Sequence, residues 1–132
     1  RYAEKHPWAM ALVGQGLWGE RYPTALSCTK IGLGLIGKHI PETSTTRTFE
    51  IPAMGTFLLA ERTPLHQELF EEGKEADFFS SDDEMLDKTR FYLANNETRE
   101  RIAAAGLARC EQSGYSSNNL LQKIIDTVQL MY

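Results

Sequence analysis

The sequence has little from which to build a metal centre, a disulfide framework or a membrane anchor. It holds two cysteines and three histidines in 132 residues. Cys28 and Cys110 stand far apart and outside any Cys-x-x-Cys spacing. They read as reduced thiols, because a disulfide suits a secreted chain and nothing else here marks secretion. His6, His39 and His66 are isolated from one another and from both cysteines, so no metal is expected. No apolar run approaches the roughly 20 residues that span a bilayer. No basic-then-apolar leader opens the chain, and a cytoplasmic location is the resulting expectation. Excess positive charge is missing too. Lys and Arg total 14 against 18 Asp and Glu, a net charge of −4. Nucleic-acid modules are normally basic, so nucleic acid is not an expected partner.

What is present suits an ordinary folded domain. Hydrophobic residues make up 42% and charged residues 24%, near the globular average. The length fits one domain of roughly 100–200 residues. The chain opens on Arg1 rather than Met, so residues 1–132 are expected to form one domain of a longer protein. The charge is uneven: residues 1–60 carry +2 and residues 61–132 carry −6. A small anionic ligand is therefore sought first in the first half.

Apolar runs and helix signals alternate along the chain. Ala9 to Val13 reads as a buried strand closed by Gly14-Gln15-Gly16. Pro23 to Leu26 can open a short helix. Ile31 to Ile36 is a second strand, whose glycines suit close approach by another backbone. A polar loop, Gly37 to Thr45, follows. Thr46 to Met54 predicts a helix ended by Gly55, with Pro52 expected to kink it or delay its start. Thr56 to Ala60 is a third strand. Thr63-Pro64 marks a helix start, and that helix is expected to reach Glu72 before Gly73. Ala76 to Phe79 reads as an edge strand.

Three helices then close the chain. Ser81-x-x-Glu84 is a capping box, and Met85, Leu86, Thr89, Tyr92 and Leu93 mark the apolar face of the helix it opens. Asn95-Asn96 breaks that helix, and Glu97 to Ser113 forms the next. The last has a stripe at Leu120, Leu121, Ile124, Ile125, Val128 and Met131, expected to be core or to pack on another domain. Such alternation predicts an α/β fold with a parallel sheet.

Ligands of open parallel sheets bind beyond the carboxyl ends of the strands. Gly14–Gly19, Gly37–Thr46 and Glu61–Pro64 leave such ends. In the middle loop, Thr43, Ser44, Thr45 and Thr46 gather hydroxyls at a helix start, which suits a phosphate. Arg47 adds a forked positive charge. Helix capping beside a surface arginine is the plainer alternative. Glu42 and Glu50 could accept paired hydrogen bonds from sugar or ribose hydroxyls, or simply be solvated. His39 could join them. Gly14-x-Gly16 lacks the third glycine of a dinucleotide fingerprint. Glu68, Glu71, Glu72, Glu75 and Asp77 read as a solvated acidic helix face.

Four segments in order carry a resemblance. They are Thr46-Arg-Thr-Phe-Glu-Ile-Pro-Ala-Met-Gly55, Phe57-Leu-Leu-Ala-Glu-Arg-Thr-Pro64, Glu68-Leu-Phe-Glu-Glu-Gly-Lys-Glu75 and Ile102-Ala-Ala-Ala-Gly106. From about Gly19 to Tyr115 the chain resembles the group 1 glycosyltransferases, in the branch that includes spore-maturation-type proteins. The resemblance implies the C-terminal, donor-binding half of a two-Rossmann (GT-B) enzyme. It implies a nucleotide sugar as donor, no metal or other cofactor, and a separate N-terminal acceptor domain as partner. In that family a Glu-x7-Glu motif marks the donor site. Glu50 would then hold the ribose hydroxyls, and Glu42 would be the catalytic residue at the transferred sugar. Pro41-Glu42-Thr43 departs from the usual Glu-Gly-Phe-Gly context. Ser44, Thr45, Thr46 and Arg47 would lie against the diphosphate, and Arg62 and Thr63 beside the donor sugar. The family's complete half has five or six strands, against three or four here. A non-catalytic Rossmann-like binding or interaction module remains the alternative. A stand-alone flavodoxin-like signalling domain would carry acids at strand ends, whereas the acids here fall on helices.

Overall fold

The computed structural model describes residues 16–131. The strand expected at Ala9 to Val13, and the first two residues of its turn, lie outside the described residues. Three apolar runs form strands: β1 (Ile31–Gly34), β2 (Phe57–Glu61) and β3 (Asp77–Phe79). They make one sheet in the order β1-β2-β3. Both pairs are parallel, with Gly32 opposite Leu58 and Ala60 opposite Phe78. Parallel neighbours need crossovers, and helices supply them. The fold is α/β, a Rossmann-like parallel sheet flanked by helices.

The helices are α1 (Arg21–Ser27), α2 (Arg47–Ala53), α3 (Pro64–Leu69), α4 (Asp82–Ala94), α5 (Asn96–Ser113) and α6 (Ser117–Gln129). Among the described residues no helix is long and apolar enough to cross a membrane. The central strand β2 is buried on both sides, and its side chains alternate between faces. Leu58 and Ala60 join Ile51, Phe70, Phe78 and Cys110 in one core cluster. Phe57 and Leu59 join Phe79, Tyr92, Ile102 and Ala103 in the other. Helix α5 contributes to both, through Ile102 and Ala103 in one and Cys110 in the other.

Several boundaries differ from the pattern-based expectation. β1 stops at Gly34 rather than Ile36, because the Ile36 N–H donates to the Glu61 carboxylate at 2.9 Å. Its glycines are required by packing. A Cβ on Gly32 would stand 2.6 Å from Ile51 Cγ2, and one on Gly34 2.8 Å from Ala60 Cβ. Pro52 does not delay α2; it is the penultimate residue of that helix, where Gly55 follows with φ +71°. A left-handed residue there ends the helix at little cost for glycine. α3 ends at Leu69, not Glu72, because Phe70 turns extended and is buried in the core.

Two apolar faces were placed differently by the structure. On α4, Tyr92 is buried but Leu86 and Leu93 are exposed. Met85 and Thr89 are half-buried beside Tyr92 as expected, and Lys88 joins that side. On α6 the whole stripe is exposed, from Leu120 to Met131. Among the described residues it is not core.

Candidate functional site

The carboxyl ends of β1 and β2 carry the loops that sequence reasoning favoured. The loop from Leu35 to Thr46 is fastened to the corner after β2 by side chains of that corner. Glu61 accepts from Ile36 N–H and pairs with Lys38. The Lys38 ammonium, with the Ile36 amide, holds its carboxyl below the usual range despite partial burial. Thr63 caps α3 by accepting from His66 N–H at 3.0 Å, and its hydroxyl donates to the Thr43 carbonyl at 2.8 Å. Buried His66 touches the Glu61 carbonyl through Nδ1 at 2.6 Å and Thr48 Oγ1 through Nε2 at 2.9 Å. Thr48 in turn accepts from Thr45 N–H at 3.1 Å.

The start of α2 is tight. Thr48 N–H and Phe49 N–H bond back to Thr45 and Thr46 carbonyls, three residues away. Together with Thr45 N–H, these amides have acceptors within the loop rather than being free. Thr45 Oγ1 is buried and has no hydrogen-bond partner among the described residues. A buried hydroxyl without a partner is uncommon and calls for an explanation.

Arg47 and Glu50 lie three residues apart on α2, hence on one face. Both line a cavity of about 670 Å³, with Thr46, Leu17, Trp18 and Tyr22. Tyr22 reaches from α1 and donates its hydroxyl to Glu50 Oε2 at 2.8 Å. Partial burial, then the bond to Glu50 and its charge, raise the Tyr22 pKa, with Arg47 opposing. Helix α1 is anchored from below, where Thr56 Oγ1 donates to the Leu26 carbonyl. Trp18 is 84% exposed, an indole with its faces largely open. Neither aromatic carried a sequence signal, because the segment from Gly16 to Tyr22 gains meaning only when α1 is laid against α2.

Glu42 stands apart from this cavity. It is exposed, and its Oε2 accepts from Gly37 N–H at 3.1 Å within its own loop. Ser44 is half-buried. Arg62 points into an acidic cluster rather than toward the loop. Its guanidinium bonds Glu72, Glu84, Ser80 and the Phe78 carbonyl. The Arg62 bond is the main cause that holds the Glu72 carboxyl low, and with the Ser80 amide it pulls the Glu84 carboxyl down to about 2. Lys88 joins through Asp77 and Glu84. Burial disfavours its charge, yet these carboxylates raise its pKa. Tyr92 donates to Asp77 Oδ2 at 2.7 Å. Glu72 and Asp77 are therefore internal ion partners, not part of a solvated face. Glu68 and Glu71 remain exposed. No group of three His, Cys, Asp or Glu among the described residues could hold a metal ion.

A family described as "glycosyl transferase-like" matches residues 2–126. The chain belongs to that family. Glycosyl transfer is thus its general chemistry, and the glycosyl transferase-like segment contains every described element from α1 to α5. Searches of curated proteins and of solved structures found no match. Within the glycosyl transferase-like segment, the structure brings Thr46, Arg47 and Glu50 to one cavity. It places Thr45 and Thr63 in the ties behind the loop, and leaves Glu42 and Arg62 in separate bonding arrangements.

Proposed function

We propose that this chain is the donor-binding part of a nucleotide-sugar-dependent glycosyltransferase, in the C-terminal half of a GT-B enzyme of the spore-maturation-type branch. The observation that carries this is the shared cavity of Arg47, Glu50 and Trp18. A nucleoside diphosphate offers an aromatic base, a vicinal diol and two phosphates, and the cavity presents a counterpart to each. Glu50 keeps its second carboxylate oxygen for a ribose hydroxyl while Tyr22 holds the first. Arg47 faces the diphosphate, with the hydroxyls of Ser44, Thr45 and Thr46 beside it. Arg62 and Thr63 shape the sugar end of the site from behind.

Chemistry follows from charge. Breaking the bond between sugar and diphosphate builds negative charge on the leaving phosphate. A fixed guanidinium and hydroxyl donors stabilise that charge in place, without a metal. Glu42 acts at the transferred sugar once the donor is bound. The acceptor is held by a separate N-terminal domain, whose closure excludes water from the cleft. The protein works in the cytoplasm and takes no nucleic acid.

The test is a titration of the chain with UDP, GDP and ADP, each with and without a sugar, followed by amide NMR. Shifts are expected at residues 16–22 and 42–50. Glu50→Gln and Arg47→Ala should each weaken binding about 10- to 100-fold, the range for hydrogen bonds to charged groups. Equal affinity in both variants would remove the site assignment. One observation favours a second reading, a binding module without catalysis: the Glu42 carboxylate is engaged in its own loop. In that case Glu42→Gln in the full-length protein leaves every measured property unchanged.

A further inference from the structure

We infer that His66, acting through Thr48, is a positioning residue for the proposed donor site; this rests on the donor-site reading above. His66 is 1% exposed, so it cannot touch a ligand itself. Its ring stacks on Phe78 with centroids 5.6 Å apart and planes 15° from parallel. Nδ1 sits 2.6 Å from the Glu61 carbonyl oxygen. A carbonyl only accepts, so Nδ1 carries the proton. In the neutral ring Nε2 is then an acceptor, 2.9 Å from Thr48 Oγ1. The Thr48 hydroxyl donates to it and in turn accepts Thr45 N–H at 3.1 Å.

The bonds form one directed chain: Thr45 N–H to Thr48, Thr48 to His66, His66 to the end of β2. Each member has a partner, as buried polar networks require. A second link runs beside it. The His66 backbone N–H donates to Thr63, and Thr63 donates to the Thr43 carbonyl. One residue thus fastens both Thr43 and Thr45, the segment that leads into Arg47. The residues that would meet a diphosphate are held from behind by a side chain that never reaches it. Without the ring, Thr48 keeps its amide partner but loses the anchor that sets its rotamer.

The test uses ¹⁵N-labelled chain without ligand, then with UDP, GDP and ADP as probes. Long-range ¹H–¹⁵N correlation of His66 should show the Nδ1–H tautomer. Thr48→Val removes the hydroxyl at nearly constant volume. It should raise the Thr45 amide exchange rate at least about 10-fold and weaken nucleotide binding about 5-fold or more, the effect of losing roughly one hydrogen bond. Thr48→Ser should restore both. His66→Phe, which keeps the stacking and leaves Thr48 its amide partner, should weaken nucleotide binding as Thr48→Val does, with a smaller rise in Thr45 exchange. An Nε2–H tautomer, or unchanged Thr45 exchange in Thr48→Val, overturns the positioning role. So does nucleotide affinity equal to wild type in a variant whose loop is loosened. If Thr45 exchange responds while the wild-type chain binds none of the three nucleotides, the donor reading fails, and the donor role of His66 with it.

Discussion

Gly106→Ala is the sharpest test of how this fold is packed. Gly106 lies inside α5, where glycine is a poor choice: alanine is favoured by about 1 kcal/mol in a helix interior. Propensity alone therefore predicts a stabilised variant. The structure predicts the opposite. A Cβ at this position would stand 2.4 Å from the Glu75 carbonyl oxygen and 3.3 Å from Pro52 Cβ. Contacts under 3.0 Å require movement. The first obstacle is backbone, immediately before Ala76, which is fully buried. Neither α5 nor the turn before β3 can retreat without opening the cluster that holds Ile51, Phe78 and Cys110. Overpacking costs about 1–3 kcal/mol, and an obstacle made of backbone rather than of a flexible side-chain end puts this case at about 2–3 kcal/mol. Set against the propensity gain, the net loss is about 1–2 kcal/mol, or roughly 3–8 °C in Tm for a chain of this size.

The assay is urea unfolding followed by far-ultraviolet circular dichroism, with the slope checked for constancy so that midpoints compare stability. Ala104→Gly supplies the control. Ala104 is exposed on the same helix, so that variant should lose about 1 kcal/mol from propensity alone. A Gly106→Ala midpoint equal to or above wild type would refute the close approach of α5 to Glu75. The effect should also reach the site, because Pro52 belongs to α2, the helix that carries Arg47 and Glu50. Nucleotide binding should weaken with stability.

The remaining predictions concern other parts of the molecule. Cys28 is exposed and Cys110 buried, and burial pushes the Cys110 thiol up to about 11; a disulfide reagent near neutral pH should titrate one thiol quickly and the second only after denaturation. The acid cluster around Arg62 should make stability fall in acid. Glu84 is held down at about 2 and Glu72 below its usual range, so their contribution is complete above the unfolded carboxyl value and is lost as pH drops through the folded one. Urea midpoints should fall between about pH 5 and pH 2, and Arg62→Met should flatten that slope, by about 1 kcal/mol for a partly exposed network. On α6, Ile124→Gln should change stability by no more than about 0.5 kcal/mol, whereas Ile102→Ala in the core should cost about 2–5 kcal/mol. Equal losses at the two positions would show that the α6 stripe is packed.

Much of the architecture was legible in the sequence because it depends on local patterns. The run Phe57-Leu58-Leu59-Ala60 announces a strand, and the structure buries it on both faces. Thr63-Pro64 and Ser81-x-x-Glu84 announce helix starts, and both caps form, with Thr63 accepting from His66 N–H and Ser81 from Glu84 N–H. Arg47 and Glu50 could be placed on one face by spacing alone. What failed locally did so for identifiable reasons. Phe70 left its helix early to enter the core. Leu86 and Leu93 fall outside the buried side of α4, where Lys88 joins Met85, Thr89 and Tyr92 because it reaches the carboxylates at Asp77 and Glu84.

The sequence by itself determined the order of the described strands and helices, the caps at Thr63 and Ser81, the family segments and the helix that carries the candidate site. Those follow from neighbours a few residues apart, where periodicity and capping act. Only the tertiary structure decided that Tyr22 meets Glu50, 28 residues away. It also decided that Arg62 turns to Glu72 and Glu84, and that His66 stands behind Thr48. Each of those pairings needs a sheet register and a crossover to bring distant backbone together, and no local pattern encodes which donor will find which acceptor.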